Sequence, residues 1–371
     1  MDAKVENQKA STEMREILHG RFLPPMWVFF ILFTFSASFF CKPAFPEIEE
    51  GSLVLGIENA HFTLNGKPAF LLGFSYYGSL GIEQHSQIEE DLHAWRERGF
   101  NWFRVWATWD AFNNDVCVAT CEAVPRQPFL ERLVLLCQTA AKAGMVVDVT
   151  VTRGAGPNFP KSMDEHRKWV ETLTKELKPF RNVYFDVGNE RNIRDKRYVS
   201  MEEVGELISC IKRLDPGRLC TASHGGDITE DELRNYLEVG KVDFICPHRP
   251  RQSGSPEETI HRTQKYLETM AKLGKVVPVH YQEPFRRGYA DWEPLVKDYL
   301  VDLEGALRGG AAGWCFHNGD TRRGSEERRP RRSFDMRPSE GTLWNQLDLE
   351  EKSFVEQAER LVADLLRHRT E

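Results

Sequence analysis

This chain lacks the excess of basic charge that a nucleic-acid binder needs. Its 371 residues carry 49 Lys and Arg against 56 Asp and Glu, a net charge of −7, whereas a nucleic-acid binder usually presents a strongly basic face or domain. Cysteine is sparse too: eight in a chain of this length do not make the disulfide framework of a small secreted domain. Cys137, Cys210, Cys220, Cys246 and Cys315 sit among apolar neighbours and read as small core residues. Cys117 and Cys121 stand apart, close together in a polar loop, and are expected to bridge in an oxidising compartment, with Cα atoms within roughly 7 Å. No Cys or His pair of suitable spacing accompanies them, which argues against zinc.

Other signatures are missing as well. Leu72-Gly73-Phe74-Ser75-Tyr76-Tyr77-Gly78 lacks the second and third glycines of a dinucleotide site. Ser75-Tyr76-Tyr77 stands where a metal-dependent barrel hydrolase would want His-x-His. No Gly-x-Ser-x-Gly elbow marks a serine hydrolase. Nor is there an apolar run of about 20 residues, the length that crosses a bilayer. Residues 26–40 (MWVFFILFTFSASFF) are uncharged but shorter, and follow a polar stretch with Lys4, Lys9, Arg15 and Arg21. That pattern suits the apolar centre of a signal peptide. Residues 1–41 are therefore expected to be a signal or membrane anchor, exporting the protein or holding it to a membrane through this segment alone. Residues 42–57, with Pro43, Pro46 and an acidic run, read as a linker, and 58–371 as one folded domain.

What is present is ordinary globular material, 41% hydrophobic and 28% charged, enough to bury a sizeable core. Nine Trp add aromatic faces of the kind that stack on sugar rings or fill a core. From about Phe62 onward, short apolar runs alternate with helical patterns, the mark of βα units and a parallel sheet. Eight strands are expected, at 69–75, 102–107, 146–151, 183–187, 219–222, 244–247, 276–280 and 312–316. Helical spacing lies between them: Ile88, Leu92 and Trp95 in one stretch; Leu133, Leu136, Ala140 and Ala141 in another, preceded by Pro128. The predicted fold is α/β, a (β/α)8 barrel, whose chemistry collects at the C-terminal ends of the strands.

Two of those ends carry carboxylates. Strand four runs into Asp186-Val187-Gly188-Asn189-Glu190 and strand seven into His280-Tyr281-Gln282-Glu283-Pro284. Cleavage of a glycosidic bond needs such a pair, one carboxyl protonated to meet the leaving oxygen and one ionised to attack or to activate water. Either Glu alone could simply anchor a loop; two on one rim point to chemistry.

This arrangement resembles clan A of the glycoside hydrolases, family 5 and its relatives above all, over about residues 58–365. The resemblance implies a retaining glycosidase acting on an oligo- or polysaccharide. Glu190 after Asn189 would be the acid/base and Glu283 the nucleophile. It also implies that Arg104, in Phe103-Arg104-Val105-Trp106, lies near the nucleophile and that Trp314 floors the sugar site. His61 to Pro68 resembles the short hairpin ahead of the first barrel strand. Two positions depart from the pattern. His248-Arg249-Pro250 stands where many members have His-x-Tyr, and strand three lacks the familiar polar aromatic or His. His248 is expected to hydrogen-bond a sugar or a carboxylate, and Tyr281 to offer a hydroxyl unless strand alternation turns it away. No metal or organic cofactor is called for.

The roles carry physical expectations. Arg104 would hold Glu283 ionised, Glu190 would be the protonated partner, and Asn189 would donate to the sugar 2-hydroxyl. The two carboxyls should lie about 5–5.5 Å apart. Arg153, Arg191, Arg194, Arg249, Arg251, Arg286, Arg287, Arg322 and Arg323 all fall shortly after strand ends. They either pair with Asp110, Asp195, Asp227 and Asp320 or face an anionic glycan. Basic clusters such as Arg328–Arg332 can bind nucleic acid or anionic lipid; beside Glu326 and Glu327 this one reads as solvated loop. The alternative function is a carbohydrate-binding barrel that has lost turnover.

Overall fold

The computed structural model describes residues 53–111, 114–152, 156–289, 291–319, 332–338 and 341–367. A three-stranded antiparallel sheet comes first: β1 (Leu55–Glu58), β2 (His61–Leu64) and β3 (Lys67–Ala69). Asn65 and Gly66, at φ of 51° and 75°, are the paired left-handed residues that a two-residue turn between twisted strands requires. This sheet corrects the expected linker boundary at 57. Leu53 and Leu55 are already buried, so a linker would end before them.

The next strands are β4 (Leu71–Ser75), β5 (Trp102–Trp106), β6 (Val146–Thr150), β7 (Val183–Asp186) and β8 (Leu219–Thr221). They are followed by β9 (Ser223–His224), β10 (Cys246–Pro247), β11 (His280–Tyr281) and β12 (Gly313–Phe316). Parallel pairing runs β11-β12-β4-β5-β6-β7-β8. One residue past β8 the chain enters β9, which pairs with β10. Ile245, beside β10, bridges Val279, beside β11. The ring therefore closes as an α/β barrel, with β8 and β9 together making its fifth strand. The sixth and seventh strands are shorter than expected because Pro247 and Pro278 have no N–H for the ladder. Ile245 N donates to Pro278 O at 3.0 Å and His280 N to Ile245 O at 2.9 Å, which holds the two segments together.

Helices α1 (His85–Arg96), α2 (Phe129–Lys142), α3 (Met163–Leu177), α4 (Met201–Leu214), α5 (Glu230–Asn235), α6 (Ser255–Lys272) and α7 (Val296–Gly309) alternate with the strands. A further helix, Leu349–Arg367, packs on α7. The apolar spacing works as expected except at Ala141, which is only half-buried: α1 buries Ile88, Leu92 and Trp95, and α2 buries Leu133, Leu136 and Ala140. Ser162 with Glu165 and Ser200 with Glu203 cap α3 and α4 reciprocally, satisfying donors that a helix start leaves open.

Side chains alternate across each strand, and the first inward layer is apolar. Leu71, Trp102, Val146, Tyr184 and Phe244 cluster with Leu53, Leu55 and Phe62 from the N-terminal sheet. Phe62 meets Phe244 and His280 edge-on, with centroids 5.0 and 5.3 Å apart. The antiparallel sheet thus closes the N-terminal mouth of the barrel. Trp102 lies across the interior over Gly73, where a Cβ would come 2.2 Å from the indole.

Several expectations fall elsewhere. The apolar run at residues 26–40, Arg153, Asp320, Arg322, Arg323 and residues 328–331 lie outside the described residues. Among the described residues no helix is long and apolar enough to cross a membrane. Cys117 and Cys121 do not bridge: both thiols are free, and buried Cys117 turns its Sγ to Trp109 O at 3.6 Å. Cys137, Cys210, Cys220, Cys246 and Cys315 are buried, as their neighbours suggested. Arg332 is not solvated; it is buried, with Nε 2.9 Å from Glu351 and an Nη1–H donated to Gly319 O at 2.8 Å.

Candidate active site

The second inward layer is polar and centres on Arg104, the middle residue of β5. Fully buried, it donates from Nε to Thr150 Oγ1 (2.9 Å), from Nη1 to Glu283 Oε2 (2.7 Å), and from Nη2 to Asp186 Oδ2 (2.7 Å) and Asn189 Oδ1 (2.9 Å). Its Nε is also 3.0 Å from Asp148 Oδ2. Burial works against the guanidinium, but Tyr77, Asp148, Asp186 and Glu283 outweigh it and keep it charged. Burial pushes Asp148 up to about 8, with Arg104 pulling the other way. Below this centre, Gln282 donates to Asp148 Oδ2 at 2.8 Å and to Tyr184 Oη at 3.3 Å, and Tyr184 Oη is 2.9 Å from His280 Nε2. A hydrogen-bonded column therefore rises from the closed mouth to the carboxylates on the rim.

Glu283 follows β11. Besides Arg104, its Oε2 is 3.4 Å from His248 Nδ1, and its Oε1 is 3.1 Å from Arg251 Nη2 and 3.3 Å from His317 Nε2. Burial alone would raise its pKa; the polar groups around it, with the Arg251 and Arg104 guanidiniums supplying fixed positive charge, reverse that and hold the carboxyl well below the usual range. His317 is itself pushed well below 6.5 by burial, with Arg286 and Arg251 adding to the effect against Glu283. Its Nδ1 faces Ser75 Oγ at 2.9 Å and Tyr77 Oη at 3.3 Å.

Glu190 stands four residues past the end of β7, in the left-handed region at φ 42°. Its N–H donates to Ser223 Oγ at 3.0 Å, and Arg191 N donates to Ser223 O at 3.0 Å, so β9 fixes the bend. The Oε1 of Glu190 lies 3.3 Å from His248 Nδ1 and 3.2 Å from Arg251 Nη2. Thr152 beyond β6 (φ 76°) and Arg249 beyond β10 (φ 57°) share the left-handed backbone. Three strand ends on one rim thus hold side chains in a conformation that non-glycine residues seldom adopt.

One nitrogen, Arg251 Nη2, touches both Glu190 Oε1 and Glu283 Oε1, so those oxygens can be no farther apart than the two contacts together, 6.3 Å. Five of the expected site residues, Glu190, Glu283, Arg104, Asn189 and His248, therefore converge. Two do not. Tyr281 is fully buried on the helix side of β11, its hydroxyl 2.7 Å from Thr263 Oγ1 of α6. Trp314 faces outward from β12, donates Nε1–H to Asp302 of α7 at 2.7 Å and packs on Phe354. Both are corrected by alternation: inward positions are 280 and 282 on β11, and 313, 315 and 317 on β12. Trp314 floors no sugar site.

His317 and the role of Arg251 were not foreseen. His317 has the parity of inward-facing Cys315, a signal that was readable; that Arg251 turns into the site depends on the course of the loop after β10. Among the described residues no group of three or more His, Cys, Asp or Glu is arranged to hold a metal ion.

The barrel matches solved structures well below the identity at which sequence alone speaks. A glycoside hydrolase family 5 mannosidase from Rhizomucor miehei aligns at a TM-score of 0.57 and 14% identity, over 86% of this chain and 99% of that one. A GH5_18 protein from Streptomyces cattleya, in complex with GlcNAc, aligns at 0.55 and 19% identity, over 82% and 81% of the two chains. A hyperthermostable endo-1,4-β-D-mannanase from Thermotoga petrophila aligns at 0.53 and 15%, over 79% and 99%. No protein-family model matches the chain, and no curated protein does.

Proposed function

We propose that this chain is a retaining glycoside hydrolase that cleaves O-glycosidic bonds in an oligo- or polysaccharide by double displacement. The observation that carries the reading is the shared contact of Glu190 and Glu283 with Arg251. Glu190 Oε1 and Glu283 Oε1 are at most 6.3 Å apart, which accommodates the roughly 5–5.5 Å carboxyl separation of a retaining pair. The printed activities of the neighbours, mannosidase and mannanase, support the same class.

In this reading Glu283, held ionised by its cationic surroundings, attacks the anomeric carbon while Glu190 gives its proton to the leaving oxygen. Forming the glycosyl ester removes the charge on Glu283. Glu190, now a carboxylate, takes a proton from water as that water opens the ester with a second inversion. Asn189 has its Oδ1 engaged by Arg104, so what it offers a ligand is its amide NH2, a donor suited to the sugar 2-hydroxyl. The run at residues 26–40 supports export or membrane attachment of the enzyme.

The test is azide rescue with product stereochemistry read by NMR. Glu190→Ala should keep glycosylation on substrates with good leaving groups, and azide should yield a glycosyl azide of retained configuration. Glu283→Ala should lose all turnover and, with azide, give inverted product. Exchanged stereochemistry would swap the roles. If the parent turns over no glycoside at all, the runner-up reading, a non-catalytic carbohydrate-binding barrel, takes its place.

A further inference from the structure

The arginines of the rim separate into two groups. Four of the six described ones have structural partners: Arg191 lies 3.5 Å from Glu232, Arg249 3.3 Å from Asp227, Arg287 2.7 Å from Asp348, and Arg194 stacks over Tyr198. Arg286 is different. It is buried, and among the described residues no carboxylate lies within ion-pair distance of it. Its Nη1 is 2.7 Å from His317 Nε2, on an imidazole that burial keeps neutral, and its Nε has no hydrogen-bond partner. The guanidinium rests between the rings of Tyr289 and Phe334, 4.5 and 5.1 Å from their centroids. Arg251 leans on the same Tyr289 ring at 5.1 Å; burial and its positive charge draw the Arg286 pKa down to about 10, and the charge of Glu283 offsets only part of that.

A buried cation with no carboxylate in contact is costly. Glu283 is the nearest carboxylate in the chain of contacts, but it is already held by Arg104 and Arg251. Position narrows the identity of the missing anion. His317 Nε2 is 3.3 Å from Glu283 Oε1 and 2.7 Å from Arg286 Nη1, which puts that nitrogen at most 6.0 Å from the nucleophile oxygen. A group on the sugar whose anomeric carbon Glu283 would attack therefore lies within reach of Arg286. Hydroxyls of a neutral sugar could accept hydrogen bonds there but would leave the charge uncompensated. A carboxylate or sulfate ester would match the planar fork of donors that arginine presents.

We propose that the sugar bound at Glu283 bears an anionic group, a uronic acid carboxylate or a sulfate ester, received by Arg286 with Arg251 beside it. The inference rests on Glu190 and Glu283 being the catalytic pair. Arg251 occupies the space between those two carboxylates, and the incoming anion gives its guanidinium a second place to go. Substrate binding then clears the cleavage point.

The experiment compares matched aryl glycosides in both anomeric forms, the gluco, galacto and manno series each as neutral sugar, uronide and 6-sulfate. The anionic member of the productive series should exceed its neutral counterpart in kcat/KM by at least about 10²-fold, and the two anionic arms show which group is read. Arg286→Gln should collapse that ratio towards one, and Arg286→Lys should restore part of it. Because Arg286→Gln could misfold, inhibition of the parent enzyme is measured too: free uronic acid or sulfated sugar should compete, and the neutral sugar at equal concentration should not. Equal or faster turnover of the neutral member overturns this inference and leaves the glycosidase reading standing. Turnover of none overturns both.

Discussion

The amide oxygen of Asn189 accepts from Arg104 Nη2 at 2.9 Å, within a barrel interior where that guanidinium also reaches Asp186 and Glu283. The contact sets which way the amide faces. Asn189→Ala should therefore lower kcat/KM by about 10²–10³-fold, the usual loss for one donor that acts in the transition state. The loss should shrink to little on 2-deoxy glycosides, which have no hydroxyl for the donor to reach. Kinetics of parent and variant on the two substrate types decide it; an equal loss on both would remove the 2-hydroxyl from the account.

Arg104→Lys keeps a charge but not the fork. A lysine cannot hold Glu283, Asp186 and Asn189 at once, so kcat should fall by about 10²-fold with KM little changed, the mark of misplaced groups more than of lost binding. Steady-state kinetics check this. An unchanged kcat would mean that the polar centre is scaffolding alone.

Tyr281→Phe and Trp314→Phe test the corrected positions. Each removes a buried hydrogen bond, to Thr263 and Asp302 respectively, worth about 1 kcal/mol, or more where the other partner is left unsatisfied. Thermal stability should drop in both variants while KM for a saccharide stays at the parent value. A raised KM for Trp314→Phe would return that residue to the sugar site.

Asp91 supplies a pH dependence. It lies on the buried face of α1, where it accepts from Tyr76 Oη at 2.7 Å and from Leu343 N at 3.0 Å. Burial lifts its pKa from 3.8 to about 7 in spite of those bonds. Between those values the folded protein keeps a proton that the unfolded chain has released, so stability is fully present below the lower value and is lost as pH rises through the upper one. The total is about 4 kcal/mol at most. Asp91→Asn imitates the protonated form and should flatten the decline, as denaturant melts of both proteins across that interval would show. Equal slopes would refute it.

Gly73→Ala should prevent folding or destabilise the barrel severely, because the new methyl would meet the Trp102 indole at 2.2 Å in a fully buried layer. Replacing Trp102 by Leu as well should recover part of the loss. Melts of the single and double variants measure this; no recovery would place the cause elsewhere.

Much of this architecture was legible because strands and helices have different periods. Ile88, Leu92 and Trp95 sit on one helical face, and the eight apolar runs needed only their order to suggest a barrel. Glu190 and Glu283 were legible by position, each just past a strand end. Harder were the residues whose meaning depends on which way a strand faces: Trp314 looked like a sugar platform, yet it lies one step out of phase with Cys315 and His317. Hardest were loop residues. Nine arginines follow strand ends, and only the closed ring distinguishes Arg251, turned inward between two carboxylates, from Arg249, turned to Asp227. Cys117 and Cys121 are close in sequence, but proximity along a chain says nothing about where two thiols point.

The left-handed backbone at Thr152, Glu190 and Arg249 sets folding and function against each other at single positions. Each such residue costs of order 1–3 kcal/mol where glycine would sit almost freely. A library selected only for thermal resistance should therefore enrich glycine or asparagine at Thr152 and Glu190, whereas at Arg249 the contacts with Asp227 and Ser255 offset the gain. The survivors would be sturdier proteins with a blunted or silent catalytic rim. Heat selection without any substrate would then trace the edge of the active site through the residues it discards.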